Sequence, residues 1–205
     1  PQPYQLSSQW TALFSKNDLA VKNIKNGDSE VVIKGNPNLA RLSPQGHYAY
    51  GYNQVDSTWY THNLKKSKYT ELTRGKIFYN ELSDYPNFPS SYGMAGWSKN
   101  DKTIFIYDRY DIWEFDPDTG NSKRLTNGRE SKTSYRLIRL DNEIKFIDTS
   151  QNLLMITFNE LTKNSGYYEF DYKKNIGQQH LDGPYRYSSP KKARLSENII
   201  FTRQS

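Results

Sequence analysis

Apolar and polar positions along this chain recur in short runs, with almost no helical rhythm. Thr103-Ile-Phe-Ile-Tyr107 is apolar or β-branched at nearly every position, the pattern of a strand covered on both faces. Met94–Trp97, Ile112–Asp116 and Ser122–Leu125 lie around it as further short strands, separated by turn chemistry. Ser98-Lys-Asn-Asp101 is one turn and Asp116-Pro-Asp-Thr-Gly120 another. Proline presets φ at its turn position and glycine supplies φ > 0. The stretch from 92 to 130 therefore predicts four short antiparallel strands.

The same pattern occurs one unit earlier. Arg41-Leu-Ser-Pro-Gln-Gly-His-Tyr-Ala-Tyr50, Thr58-Trp-Tyr60 and Glu71-Leu-Thr-Arg-Gly75 align with Gly96-Trp-Ser-Lys-Asn-Asp-Lys-Thr-Ile-Phe105, Ile112-Trp-Glu114 and Arg124-Leu-Thr-Asn-Gly128. In this alignment Ser43 matches Ser98, Trp59 matches Trp113, and Leu72-Thr73-x-Gly75 matches Leu125-Thr126-x-Gly128. The offset drifts from 55 to 53 positions across the unit. A period of about 50 residues belongs to propeller blades, not to helical repeats. The fold expected is all-β: a β-propeller segment of three to four four-stranded antiparallel blades, with Trp59 and Trp113 as equivalent wedges between blades.

Fainter copies flank the two units. Asp18–Gly27 followed by Glu30–Gly35 reads as the outer half of a preceding blade. After Ser131, strands are expected at Tyr135–Leu140, Ile144–Asp148, Leu153–Phe158 and Gly166–Asp171. Asn198–Thr202 begins or closes a further unit. Blade-like units are thus placed at 5–36, 38–78, 92–130 and 134–205, within one partial propeller domain spanning 1–205.

Composition supports a folded chain despite a hydrophobic fraction of 35% and a mean hydropathy of −0.93. The 17 Tyr, 9 Phe and 4 Trp make up 15% of the residues, and disordered chains are poor in such side chains. There is no cysteine, which removes disulfides, thiolate metal sites and a cysteine nucleophile. No apolar run approaches the roughly 20 residues that span a bilayer. The chain opens at Pro1 without an initiator Met, as a processed or cut end would. Its net charge of +6 comes from Lys and Arg scattered among Asp and Glu, which speaks against a nucleic-acid surface.

One block is more specific. Asp84-Tyr-Pro-Asn-Phe-Pro-Ser-Ser-Tyr-Gly-Met-Ala-Gly-Trp97, running on to Ile106-Tyr-Asp-Arg-Tyr-Asp-Ile-Trp113, resembles the propeller of large bacterial prolyl oligopeptidase family serine peptidases, of the kind found in Bacteroidetes. Phe158-Asn-Glu-Leu-Thr-Lys-Asn-Ser-Gly-Tyr167 and Ile200-Phe-Thr-Arg-Gln-Ser205 are similar to the same group. The resemblance covers roughly residues 38 to 205. It implies a periplasmic or secreted protein in which the propeller precedes a C-terminal α/β-hydrolase domain and acts as a lid that admits peptide substrates. The hydrolase nucleophile sits in Gly-x-Ser-x-Gly. That motif is missing here, so no catalytic residue is expected in this chain, and no cofactor.

Other candidate chemistry is sparse. The three histidines, His47, His62 and His180, lie after a turn, in an outer strand region and in a polar loop, and none suggests a catalytic triad. Asp116-x-Asp118-x-Gly120 lacks the further ligands of a calcium loop and reads as a hairpin, leaving no metal site. Asp108, Arg109 and Asp111 could hold a peptide terminus through a bidentate Arg contact, or Arg109 could pair with Asp108 or Asp111 to fix a connection. Tyr85, Phe88 and Tyr92, in the long connection from Glu81 to Gly93, could stack on a ligand or seal the crossing between blades. Two alternatives remain: a stand-alone binding module for peptide, glycan or nucleic acid, and a complete small propeller acting as a scaffold. An open ring would leave exposed strand edges and invite self-association.

Overall fold

The computed structural model describes residues 17–36, 40–141, 143–196 and 198–205. Among these, sixteen strands form five antiparallel sheets. A two-stranded sheet comes first, β1 (Asn17–Lys22) with β2 (Ser29–Asn36). Three four-stranded sheets follow, each with its strands side by side in chain order. They are β3 (Arg41–Leu42), β4 (Tyr48–Asn53), β5 (Thr58–Asn63) and β6 (Lys68–Glu71); then β7 (Met94–Trp97), β8 (Ile104–Tyr107), β9 (Ile112–Phe115) and β10 (Ser122–Arg124); then β11 (Thr133–Leu137), β12 (Leu153–Asn159), β13 (Ser165–Asp171) and β14 (Ile176–Gly183). A second two-stranded sheet, β15 (Arg186–Lys192) with β16 (Ile199–Gln204), comes last. Helical structure amounts to short turns at Lys99–Asp101 and Gly128–Ser131.

The chain divides into two compact units. One runs to Tyr92 and includes Phe115–Ser122; the other holds Gly93–Glu114 and Lys123–Ser205. In the first, β5 is buried along its whole length, and Trp59 and Tyr60 fill the core with Tyr48 and Tyr50 of β4. The 115–122 hairpin is tied to this sheet by polar contacts. Thr61 Oγ1 donates to the Pro117 carbonyl at 2.6 Å, and Asn63 Nδ2 donates to Asp118 Oδ1 at 2.8 Å. The Lys66 ammonium also contacts the Asp118 carboxylate. Partial burial works to raise the Asp118 carboxyl, but the Lys66 and Asn63 donors outweigh it and hold it below the usual carboxylate range. In the second unit Ile104, Phe105 and Ile106 of β8 are fully buried. Each such side chain stabilises the fold by about 1.5–3 kcal/mol relative to exposure.

Hydrogen bonds fix how the repeats correspond. The amide of Ser43 donates to the Tyr48 carbonyl, and the Tyr48 amide donates to Ser43 Oγ. Ser98 and Thr103 repeat both bonds. Further on, the Trp59 amide donates to Thr73 Oγ1 and the Leu72 amide to the Trp59 carbonyl. Their counterparts are the Ile112 amide to Thr126 Oγ1 and the Leu125 amide to the Ile112 carbonyl. The residue equivalent to Trp59 is therefore Ile112, which corrects the expected match of Trp59 with Trp113. The cause is a hairpin shorter by two residues: Asn53 pairs with Thr58, whereas the Asp108 amide donates directly to the Asp111 carbonyl. The offset thus steps from 55 to 53 at one place. Trp113 lies one position along, on the other face of the strand. Trp59 is buried against Tyr52, with ring centroids 5.6 Å apart, while the half-buried Trp113 donates Nε1 to Asp108 Oδ2 at 3.1 Å.

The same test places the two-stranded sheets. The Asn23 amide donates to the Asp28 carbonyl and the Gly27 amide to the Asn23 carbonyl, as Asp116, Asn121 and Gly120 do. The Gly35 amide donates to Asp18 Oδ1 across 17 positions, as the Gly128 amide does to Asp111 Oδ1 across the same 17. β1 and β2 therefore match β9 and β10, the third and fourth strands of a sheet. Residues 5–16 of the first expected unit lie outside the described residues. At the other end the Ala193 amide donates to the Asn198 carbonyl, the bond of Ser43 with Tyr48, so β15 and β16 match a first and a second strand.

Three expectations need correction. Ile144–Asp148 is not a strand; Ile147 makes a single parallel bridge to Ser98, because its amide is held by the Trp97 carbonyl at 2.7 Å. His180 is not in a loop but in β14, where bonds to β13 complete the third sheet. The expected unit 134–205 therefore contains one whole sheet and half of another. His62 is not in an outer strand: it lies in the third strand, 6% exposed.

Two measurements follow. Neither ring nitrogen of His62 has a hydrogen-bond partner among the described residues, and burial pushes its pKa below the ordinary 6.5, with Glu30 working weakly the other way. A depressed folded value gives stability that is present above about pH 6.5 and lost as the pH falls towards that value. Urea midpoints should drop between pH 7.5 and pH 5.5, and His62→Phe should flatten the drop. At Gly128 an added Cβ would lie 1.9 Å from the Thr133 carbonyl oxygen. Gly128→Ala should cost about 2–3 kcal/mol, seen as a melting temperature lower by roughly 4–12 °C.

Candidate functional site

The densest cluster of charged side chains surrounds the two-residue hairpin between β8 and β9. Asp108, at its start, accepts the amides of Tyr110 and Asp111 on Oδ1 at 2.8 and 2.5 Å. Asp111, at its end, is fully buried. Its carboxylate accepts Thr126 Oγ1 at 2.7 Å and the amides of Gly128 and Arg129 at 2.5 and 3.2 Å. Burial pushes the Asp111 carboxyl up, with the Thr126 and Gly128 donors opposing.

The two hairpin residues reach to the third sheet. Arg109, which the sequence offered either to a peptide terminus or to Asp108 or Asp111, reaches Glu160. Its Nε and Nη2 donate to Glu160 Oε1 and Oε2 at 3.1 and 2.8 Å, a bidentate pair. Tyr110 Oη donates to Glu160 Oε2 at 2.8 Å. Desolvation works to raise the Glu160 carboxyl, but these donors hold it low. Burial, then the bond to Glu160, pushes the Tyr110 phenol up. Arg109, Arg129 and Lys132 all approach the Tyr110 ring, at 5.1, 5.3 and 5.4 Å from its centroid. Arg136 donates to the carbonyls of Asp108 and Arg109 at 3.1 and 2.9 Å and covers the Tyr107 ring at 4.6 Å. These groups spend their hydrogen bonds on one another, so the cluster works as a tie between adjacent sheets. The predicted trio Asp108, Arg109 and Asp111 is indeed one cluster. Glu160 and Arg136 were missed, since partners 51 and 27 positions from Arg109 leave no local signal.

The aromatic trio belongs to the first compact unit. Tyr85 is 78% and Phe88 38% exposed, whereas Tyr92 is half-buried and accepts the Glu81 amide on its hydroxyl at 2.9 Å. The loop carrying them is anchored to the β4–β5 hairpin: Gln54 Nε2 donates to the Phe88 carbonyl and Tyr52 Oη to the Pro89 carbonyl. Tyr92 is thus held within the loop, and Tyr85 is the most exposed of the three.

A further feature has no counterpart in the sequence reading. A cleft of about 830 Å³ lies in the second unit between β12 and the β15–β16 hairpin, lined by Ile156, Phe158, Tyr185, Arg186, Tyr187 and Gln204 among others. Elsewhere, His180 Nε2 lies 2.6 Å from Glu169 Oε2, and Glu169, held low first by Asn152 and then by His180, is the carboxylate of that pair.

No family model and no curated protein matches the sequence. Solved structures do match. An oligogalacturonate lyase from Vibrio parahaemolyticus superposes with a TM-score of 0.56 at 10% identity, over 94% of this chain and 54% of that one. A protein assigned as dipeptidyl aminopeptidase IV from Bacteroides ovatus gives 0.55 at 11% identity, over 93% and 30%. An oligogalacturonate lyase in complex with manganese gives 0.55 at 11% identity, over 92% and 53%. The chain spans about half the length of the lyases and under a third of the peptidase. At such identities the likeness speaks for the fold: the chain is a β-propeller segment, all-β and built mostly from four-stranded antiparallel sheets.

The role of the charged cluster as a tie is measurable. Glu160→Ala strands Arg109 and the Tyr110 hydroxyl in a half-buried site and should cost about 1–2 kcal/mol, read as a lower urea midpoint. Arg74→Ala, which breaks an exposed pair with Glu71, should change it by less than about 0.5 kcal/mol.

Proposed function

We propose that this chain is a non-catalytic, substrate-gating propeller segment of a larger prolyl oligopeptidase-like serine peptidase. The observation that carries the reading is the block from Asp84 to Trp113. It resembles that family in sequence, and it forms the anchored loop, the strands β7 and β8 and the start of β9 in a fold shared with a dipeptidyl aminopeptidase. The chain contains no Gly-x-Ser-x-Gly, so the nucleophile would come from a partner α/β-hydrolase domain and the substrates would be peptides. Stiffness suits a gate: a screen that excludes folded proteins must hold its aperture, and the tie around Glu160 braces neighbouring sheets. Among the described residues no helix is long and apolar enough to cross a membrane; a periplasmic or secreted location is part of the proposal.

The cleft beside Tyr185 and Tyr187 favours a second reading, a stand-alone binding module. Its aromatic and cationic lining suits a peptide or an acidic glycan.

Chromogenic di- and tripeptide substrates incubated with the purified chain should show no release above buffer. Turnover abolished by replacing one serine would overturn the assignment. In a protein carrying this segment together with its hydrolase domain, Glu160→Ala should raise kcat/KM for long polypeptides several-fold relative to short peptides. An unchanged ratio would remove the gating role. Saturable glycan or peptide binding by the isolated chain, lost in Tyr185→Ala, would promote the second reading.

A further inference from the structure

Asparagine followed by glycine is a chemically labile pair. A residue without Cβ leaves its backbone nitrogen unhindered for attack on the preceding carboxamide. The sequence contains two such pairs, Asn26-Gly27 and Asn127-Gly128. The structure sets them in opposite surroundings.

Asn26-Gly27 lies in the hairpin between β1 and β2, and both residues are exposed. Asn26 Oδ1 accepts the Asp28 amide at 3.1 Å, and Nδ2 donates to Asp28 Oδ2 at 2.6 Å. The ring closed by the first bond includes the Gly27 nitrogen, so Cγ of Asn26 already lies beside its nucleophile. Nothing packs over Gly27: a Cβ built there meets no atom within 4 Å. The Gly27 amide donates to the carbonyl of Asn23, itself exposed, at 2.9 Å. Water replaces such a bond at little cost, since exposed turns open locally with free energies near zero.

Gly128, by contrast, is buried. Its amide donates at 2.5 Å to Oδ1 of Asp111, a carboxylate that is fully buried. A Cβ at Gly128 would lie 1.9 Å from the Thr133 carbonyl oxygen, so the backbone has no room to swing. The Asn127 carboxamide is engaged as well, its Oδ1 accepting Arg124 Nη2 at 2.9 Å. Freeing the Gly128 nitrogen would deprive a buried carboxylate of a donor, which costs far more than opening an exposed turn.

We infer that Asn26 is a site of spontaneous deamidation, and that the Asp111 anchor shields Asn127 from the same reaction. The Gly27 nitrogen, losing its proton, attacks Cγ of Asn26. The new N–C bond closes a succinimide ring, the Cγ–Nδ2 bond breaks, and ammonia departs with the proton. Water then opens the ring at either carbonyl. Attack at Cγ leaves an aspartyl residue; attack at the main-chain carbonyl leaves an isoaspartyl residue, with the backbone running through Cβ and Cγ. Nothing is oxidised or reduced, and water is the co-reactant. Either product adds one negative charge to a chain of net charge +6.

A matching turn supplies the control. Residues 116–121 repeat the backbone bonds of 23–28, and Thr119 stands where Asn26 does. Gly27 and Gly120 share a positive φ, 82° and 74°. Asn26→Thr should therefore keep the hairpin and lose the reaction.

The test incubates the chain in warm neutral buffer, then digests it with trypsin for mass spectrometry. Asn26–Lys34 and Leu125–Arg129 are separate tryptic peptides. Labelled methyl transfer from S-adenosylmethionine by an isoaspartyl methyltransferase marks the isoaspartyl product in each. In the folded chain Asn26 should convert about tenfold faster than Asn127, or more. In urea that unfolds the chain, the two rates should agree within about threefold, because local sequence alone then decides. Asn26→Thr should leave its peptide unmodified and the urea midpoint unchanged. An unmodified Asn26 in the folded chain, equal rates at the two sites in that state, or a difference that persists undiminished in urea would each overturn the inference. None of these readouts depends on the gating role or on the cleft beside Tyr185.

Discussion

The sheets of this chain depend on one recurring bond, in which an Asn or Asp side chain at the end of a strand accepts backbone N–H groups of the turn that follows. Asn53 does so for Val55 and Asp56, Asp108 for Tyr110 and Asp111, and Asn159 for Leu161 and Thr162. Between the third and fourth strands Asn63, Asp116 and Asp171 do the same. With strands as short as two residues, a large share of the chain lies in turns, and turn amides lack ladder partners. An unsatisfied amide near the core costs about as much as a lost hydrogen bond. A side-chain oxygen two or three residues away meets that need without lengthening the loop. The same bond fixes where each strand stops, and hence the register of the next.

This bond also explains what the sequence made legible. The strands β7 to β10 could be read within a residue or two because Asp116, Pro117 and Gly120 mark one hairpin and Ser98 to Asp101 another. The pairing of Trp59 with Trp113 failed for a local reason. Identity of a large aromatic outweighed the turn markers, although Asn53 and Asp108 already located the hairpin whose length differs. Had the units been aligned on their capping Asn and Asp residues, Ile112 would have fallen opposite Trp59. The near-constant spacing that joins β1–β2 to β9–β10 was hidden in a similar way. Lys22 stands where Phe115 does and Ala20 where Trp113 does, so the caps and glycines persist while the apolar pattern fades.

The candidate site was legible in its members and not in its bonding. Asp108, Arg109 and Asp111 attract notice because charges beside a buried strand need partners. Which partner each takes depends on how sheets stack, and the contact of Arg109 with Glu160 joins two hairpins that the sequence treats as unrelated. Local spacing favoured Asp108 and Asp111 for Arg109. The structure commits both carboxylates to backbone amides first, leaving the guanidinium to reach across. The same competition accounts for the cleft beside Tyr185: its walls come from two sheets, and no local pattern announces a gap between them.

The half-sheet β15–β16 raises a physical question, since an isolated two-stranded hairpin is marginal in water. Here it is held from one side. Tyr187 and Phe201 pack with Tyr167 of β13, with ring centroids 5.2 to 5.7 Å apart, and Ser165 Oγ bonds to the Tyr185 carbonyl. That aromatic cluster orders the hairpin against the third sheet, so its two strands do not depend on their own pairing alone. The anchor acts from one side: Ile200, on the same hairpin, is 74% exposed.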